Sequence, residues 1–322
     1  DWAAQRIKGL NLTSLILNSI KFLNFNKNKK VIKTLIKKFK YPKYGPGMMW
    51  EKAAEKILKQ NGKITMGVEA RKFAYNKINK SWRVQCLNKI NNQEITYECK
   101  RVISSAAMSD VVKNIHPPLV SKNLASDLKY RDFITVAIMI DKRPSFDDNW
   151  IYIHDQNIDA GRIQNYTSWS THMAPENKGC LGLEYFCNEG ENFWNKSDEE
   201  LKEIAIKDLT KLEILTDEKI TDAYVVRQKK AYPVYDKKYK TIVKKISDEI
   251  EENYKNLFLV GRNGMHKYNN QDHAMMTSIL TVENIINNKN INNIWDINVD
   301  AEYHEEKVAM KSTRSVPVSI NN

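Results

Sequence analysis

Apolar positions along this chain repeat at a helical spacing near its two ends and at a spacing of two through its middle. Residues 10–40 read as helical. Val31, Ile32, Leu35, Ile36 and Phe39 fall on one helical face and lysines occupy the other. "YPKYGPGMMWEKAAEKILKQNGK" (41–63) reads as a Pro/Gly loop, a helix and a stop at Asn61-Gly62. Ile64, Met66 and Val68 alternate, which predicts a strand through "KITMGVEARKF". "WRVQCL" and "EITYEC" predict a hairpin. "RVISSAA" (101–107) suits a short buried strand that leads into the helix "MSDVVKNI", which "HPP" terminates.

The middle differs. "FITVAIMID" (133–141), "NWIYIHD" (149–155), "RIQNYTSW" (162–169) and "CLGLEYFC" (180–187) are strand-like and separated by polar turns, the pattern of an antiparallel sheet. Ser197 with Glu200 three residues on predicts a capping box and a helix through "LKEIAIKDLTKL". Residues 221–236 read as extended, 239–254 as a helix, then "LFLVG" as a strand and a last helix to about Ile286. The expected architecture is mixed α/β (α+β): an α/β nucleotide-type unit interrupted by an antiparallel-sheet unit. The expected boundaries are a helical segment 1–40, a first α/β part 41–128, the antiparallel sheet 129–236, a return to the α/β unit over 237–290, and a tail 291–322.

With 322 residues, 42% of them hydrophobic, the chain suits two domains or one large domain with an insertion. No apolar run reaches the length of a membrane span, so we expect none. "DWAAQRIKGL" has neither the n-region nor the h-region of a signal peptide, and we expect a further N-terminal piece to lie outside this sequence. The net charge is +12. That charge fits either an anionic partner or a Lys-, Asn- and Ile-rich composition, and the densest basic run, 26–43, follows the solvated face of a helix. Cys86, Cys99, Cys180 and Cys187 form no CxxC pair, so no metal site is expected, and free thiols in a cytoplasmic setting are.

Polar chemistry concentrates at one strand-to-helix junction, "NLFLVGRNGMHKYNNQDHAMM" (256–276). A strand ending in Gly before a helix N-terminus offers unpaired N–H groups to an anion. Gly261 and Gly264 allow close backbone approach, and Arg262 carries a fork that suits phosphate. The alternative is an ordinary N-cap with a glycine turn.

The longer pattern resembles the C-terminal flavin-contacting segment of the FAD-dependent amine-oxidase-like superfamily, in its UDP-galactopyranose mutase-like and protoporphyrinogen-oxidase-like branch. The motif positions are Gly261, Arg262, Tyr268, Asp272 and His273. "YPKYGPGMMWEKAAEKILKQNGKI", "VEARKF" and "RVISSAAMSDVV" resemble further cofactor-side blocks, with Ala107 where the family often has Pro. Three more blocks, "WIYIHDQNIDAGRIQNYTSW", "GLEYFCNEGENFW" and "RQKKAYPVYDKKY", resemble the substrate domain. The resemblance implies an incomplete FAD/NAD(P)-binding Rossmann-like domain interrupted by that substrate domain, with FAD as cofactor. It implies FAD contacts at Val68, Gly261, Arg262, Tyr268, Gln271, Asp272 and His273, Val68 lying beside the adenine. Substrate contacts are expected at Arg162, Arg227, Tyr232 and Tyr235. The N-terminal G-x-G-x-x-G fingerprint has no match anywhere in the chain.

Arg162, Arg227 and Lys230 sit among aromatics, as cations for an anionic or sugar-type small-molecule substrate or as sheet-edge charges. Glu184 in "LGLEYF" would be a buried carboxylate needing a partner, with Arg162 or Arg227 as candidates. No general base and no nucleophile elbow stand out, and no catalytic residue is assigned. Two reaction types fit the resemblance: oxidation by hydride transfer to the flavin, or redox-neutral isomerisation of a nucleotide sugar on reduced flavin. The first is expected, in a chain that is inactive without its remaining part. A non-catalytic basic binding module is the reading from another class. RNA-binding signatures are missing, and no nucleic-acid partner is expected.

Overall fold

The computed structural model describes residues 40–298. The helix expected over 10–40, its basic face and most of the tail lie outside the described residues. In chain order the strands are β1 (Val68–Asn76), β2 (Ser81–Asn88), β3 (Glu94–Cys99), β4 (Val102–Ser104), β5 (Ile115–His116), β6 (Tyr130–Ile140), β7 (Trp150–Tyr152), β8 (Arg162–Asn165), β9 (Gly179–Cys187), β10 (Ile220–Pro233) and β11 (Leu257–Leu259). The helices are α1 (Gly47–Lys59), α2 (Met108–Asn114), α3 (Tyr166–Trp169), α4 (Asp198–Lys211), α5 (Tyr239–Asn253), α6 (Gly261–Gly264) and α7 (Gln271–Ile286).

Three sheets result: β3-β2-β1-β5, β10-β6-β9-β8-β7 and the pair β11-β4. The last is parallel and joins segments more than 150 residues apart: Leu257 pairs with Val102, Phe258 with Ile103 and Leu259 with Ser104. The strand expected at 257–261 therefore lies with 101–106 and outside the sheet that holds 133–141, as the nucleotide-type topology requires. Ile242, Ile246 and Ile250 of α5 meet Leu257 and Leu259 in one core with Trp82, Met108, Val111, Val112 and Ile115.

The five-stranded sheet is antiparallel throughout. Alternation gives β6 two faces. Ile134, Val136, Ile138 and Ile140 enter a second core with Leu181, Leu183 and Tyr185 of β9 and Leu201, Ala205 and Leu209 of α4. The opposite face, carrying Phe133, Thr135 and Ala137, is only half-buried. Helix α4 begins with the expected capping box, the Ser197 side chain accepting from the Glu200 N–H while the Glu200 carboxylate accepts from the Ser197 N–H.

Some expectations move. The strand expected from Ile64 begins only at Val68, because Gly67 takes φ +70° and turns the chain, leaving Met66 exposed. Residues 166–169, expected as strand, form the helical turn α3. The hairpin β2–β3 forms, with Cys86 paired to Ile95 and Cys99 to Trp82, and all four cysteines are free. Helix α1 buries none of its side chains: Trp50, Ile57 and Leu58 are exposed, as is Ile103 on β4. No helix among the described residues is long and apolar enough to cross a membrane.

Candidate functional site

The carboxyl ends of β4 and β11 lie side by side, and the polar junction grows from them. The Val260 N–H donates to the Ser104 carbonyl at 3.0 Å. Gly261 then takes φ +76°, a conformation that disfavours any residue with a Cβ, and its N–H donates to Thr277 Oγ1 of α7 at 2.9 Å. Gly264 packs on β4 itself, since a Cβ there would stand 2.7 Å from the Ser104 carbonyl oxygen.

An irregular loop folded into a buried place must satisfy its own backbone. Much of the polar chemistry of 261–270 does this. Asn269 is buried and its amide donates to the Gly261 carbonyl at 3.2 Å. Arg262 Nε donates to the Asn269 carbonyl at 2.7 Å and Nη1 to the Ala231 carbonyl at 3.1 Å. The guanidinium also lies over two rings, 5.2 Å from the centroid of Tyr232 and 4.7 Å from that of Tyr268. The fork expected to grip a phosphate is thus largely engaged in ordering the turn and holding two aromatics.

Those aromatics form a belt. Tyr232 and Tyr268 stack at 5.7 Å with an 11° interplanar angle, and Tyr235 stacks on Tyr239 at 4.2 Å. The Tyr268 N–H donates to Tyr235 Oη at 2.5 Å, and burial pushes the Tyr235 phenol up to about 12. The structure therefore brings Gly261, Arg262, Tyr268, Tyr232 and Tyr235 together.

Gln271, Asp272 and His273 open α7 beside this belt. Asn270 is the N-cap: its side chain accepts from the His273 N–H, and His273 Nδ1 in turn accepts from the Asn270 N–H at 3.3 Å. One of the first-turn N–H groups is therefore already engaged. Val68 is the first residue of β1, pairs with Asn88 in the four-stranded sheet and packs against the core that holds Leu257 and Leu259.

The two arginines expected at the substrate diverge. Arg162 Nε donates to Glu184 Oε2 at 2.9 Å, Nη2 donates to the same oxygen, and Gln164 Nε2 donates to Glu184 Oε1 at 2.5 Å. Glu184 is 2% exposed, and the guanidinium lies 5.7 Å from the Trp150 ring and 5.8 Å from the Tyr152 ring. Arg227 points to the other side of its sheet. It donates to the Trp194 carbonyl at 3.3 Å, to Asp198 Oδ1 at 2.5 Å and to the Lys196 carbonyl at 2.6 Å, all at the start of α4. The reason is parity: Arg227 pairs with Ile134, whose side chain faces the core.

Sequence reasoning named Lys230 as a substrate-side or sheet-edge cation but not its partner, and it did not place His266 or Gln164 here. A β-bulge between Gln228 and Tyr232 lifts Lys230 into φ +52°, where its Nζ donates to both Asp110 oxygens at 2.5 Å and bridges β10 to α2. His266, at φ +46°, is 1% exposed and packs edge-on to Tyr130 at 4.9 Å; its Nδ1 has no partner, and burial lowers its pKa. Gln164, two residues beyond Arg162 on one strand face, could have been found from the period of two. The bulge has no comparable signal. Among the described residues no group of three or more His, Cys, Asp or Glu could hold a metal ion.

No family model and no curated protein matches the sequence. Solved structures do match the fold. Reduced UDP-galactopyranose mutase aligns with a TM-score of 0.65 at 17% identity, over 77% of this chain and 53% of that one. A protein described as a protoporphyrinogen oxidase from Exiguobacterium sp. 255-15 aligns with a TM-score of 0.58 at 14% identity, over 74% and 51%. A CLA-producing fatty acid isomerase from P. acnes aligns with a TM-score of 0.52 at 12% identity, over 74% and 51%. The chain spans about half the length of each of these proteins. Over that span it has the mixed α/β fold of the FAD amine-oxidase-like enzymes.

Proposed function

We propose that this chain is the cofactor- and substrate-positioning part of an FAD-dependent oxidoreductase acting on a small molecule. The observation that carries the reading is the parallel pair β4–β11, whose carboxyl ends meet at Ser104, Gly261 and the start of α7. In open α/β sheets ligands bind beyond the carboxyl ends of the strands. When bound, FAD supplies the electron-accepting ring. The residues here would hold it beside the close-packed turn at Gly261, whose own N–H and carbonyl are engaged within the chain, and through the remaining N–H groups at Gln271 and Asp272. Tyr268 and Tyr232 would form a wall, and Arg262 would fix that wall.

The fit is partial. A phosphate-cradling glycine fingerprint is not in this sequence, and Arg262 has little of its fork to offer. A two-stranded parallel sheet is also a small unit, since parallel strands are normally covered on both faces. Apolar side chains are exposed on α1 (Trp50, Ile57, Leu58) and on β4 (Ile103), and either surface would suit a further strand-and-helix unit carrying such a turn. Redox-neutral isomerisation of a nucleotide sugar on reduced FAD is the second reading, supported by the mutase's TM-score of 0.65. Titration of the intact protein with FAD tests both readings: saturable binding supports them, and its absence contradicts them.

A further inference from the structure

We propose that the open face of the five-stranded sheet receives an uncharged, apolar chain, laid along β6 with its leading end at Phe133, Phe186 and Tyr232. This rests on the reading of that sheet as the substrate platform and names the substrate class.

Register sets the shape of the face. Thr135 and Ala137 are the small residues of β6 on this side. On β10 they pair with Val226 and Tyr224, which are 55% and 57% exposed. On β9 they pair with Glu184 and Gly182. Tyr166 lies directly on Gly182, where a Cβ would meet its hydroxyl at 2.6 Å. Small residues on β6, between Val226 and Tyr224 of β10 and, on the β9 side, Glu184 and the Tyr166 ring over Gly182, make a shallow trough that runs with β6.

Charge then selects the occupant. Within the trough wall Glu184 and Arg162 neutralise each other, and Gln164 takes the remaining carboxylate oxygen. An anion recruiting Arg162 would leave Glu184 buried without its counter-charge. Arg227 faces α4 and is engaged there. Arg131, two residues before Phe133 at the end of the trough, donates to the Phe186 carbonyl at 3.0 Å. None of these three arginines is poised for a phosphate or carboxylate, so among the described residues the trough complements a neutral molecule. Exposed apolar side chains grouped on one face mark a binding surface.

The end of the trough points to the cofactor junction. Phe133 lies 6.3 Å from Phe186 and 6.1 Å from Tyr232, and Phe186 lies 6.4 Å from Tyr232. Tyr232 in turn stacks on Tyr268 beside Arg262. A chain in the trough would meet this aromatic group before reaching the carboxyl ends of β4 and β11.

The test is calorimetric titration of the intact protein with octan-1-ol, octanoate and UDP, each alone. The proposal expects octan-1-ol to bind at least about tenfold more tightly than octanoate, and UDP not to compete with it. Ala137→Phe, which fills the floor, should weaken octan-1-ol by about tenfold or more and leave FAD binding unchanged. Should Ala137→Phe fail to fold, Val226→Asp on the exposed wall carries the same expectation. Tighter binding of octanoate or UDP would overturn the proposal. So would octan-1-ol binding that both variants retain, or no octan-1-ol binding because another part of the chain covers the face. The octan-1-ol, octanoate and UDP titrations need no FAD, so their failure leaves the flavoenzyme reading to its own test.

Discussion

Gly264 rests against the carbonyl of Ser104 so closely that a single added methyl would stand 2.7 Å from that oxygen. Ser104 ends β4, and Gly264 ends the helical turn that follows β11. The contact fixes how far the Arg262 turn stands from the parallel pair. Gly264→Ala must push the backbone apart, which costs about 1–3 kcal/mol by the usual scale of overpacking. Urea unfolding should show this as a lower midpoint with an unchanged slope. Full stability of the variant would show that the turn is not held by this contact.

The buried pair of Arg162 and Glu184 predicts a sign pattern. Glu184→Ala leaves the guanidinium without its counter-charge and should cost about 3–5 kcal/mol. Replacing both partners with leucine removes two desolvated charges together and should be much less costly than either single change. A double-mutant cycle on chemical unfolding checks this. Additive losses would mean that the pair is not coupled.

His266 predicts a dependence on pH. Burial holds its pKa below the ordinary imidazole value, so the folded protein keeps it neutral. As pH falls through about 6.5, the unfolded chain takes up the proton first. The unfolded state then binds more protons, and stability falls by at most about 1.4 kcal/mol per pH unit from this group until the folded pKa is reached. Above about pH 7.5 both states are neutral and the contribution is flat. His266→Asn keeps a residue that tolerates the φ of +46° but cannot titrate. Unfolding at about pH 7.5 and about pH 5.5 should show a smaller loss for the variant than for the wild type. An equal loss would exclude His266 as the cause.

What the sequence made legible follows from where its information lies. Helix α7, strands β6 and β9 and the Ser197 cap are written in periodicity and capping chemistry, and they form where expected. The convergence of Gly261, Arg262 and Tyr268 follows from a strand, a glycine turn and a helix in succession. Arg227 was not legible as a core-side residue, because Val225 and Val226 put apolar side chains on both faces of β10 and erase the parity. The partners of Arg262 were not legible either. They are the carbonyls of Asn269 and Ala231, which any residue would supply. The bulge that delivers Ala231 depends on pairing with β6 across nearly a hundred residues.

The central claim is that the junction at Gly261 and Arg262 seats FAD, and equilibrium titration of the intact apoprotein with FAD tests it most directly. Wild type should bind with saturation and give a bound-flavin spectrum. Arg262→Ala frees the Asn269 and Ala231 carbonyls and releases the Tyr232–Tyr268 wall, and through that loss of order should weaken binding by roughly tenfold or more. Arg262→Lys should recover only part of that, since lysine cannot span both carbonyls with a planar fork. Lys244→Ala, on an exposed helix surface where it pairs with Asp248, should change nothing. Equal FAD affinity in wild type and Arg262→Ala would contradict the site, and no FAD binding by wild type would contradict the flavoenzyme reading itself.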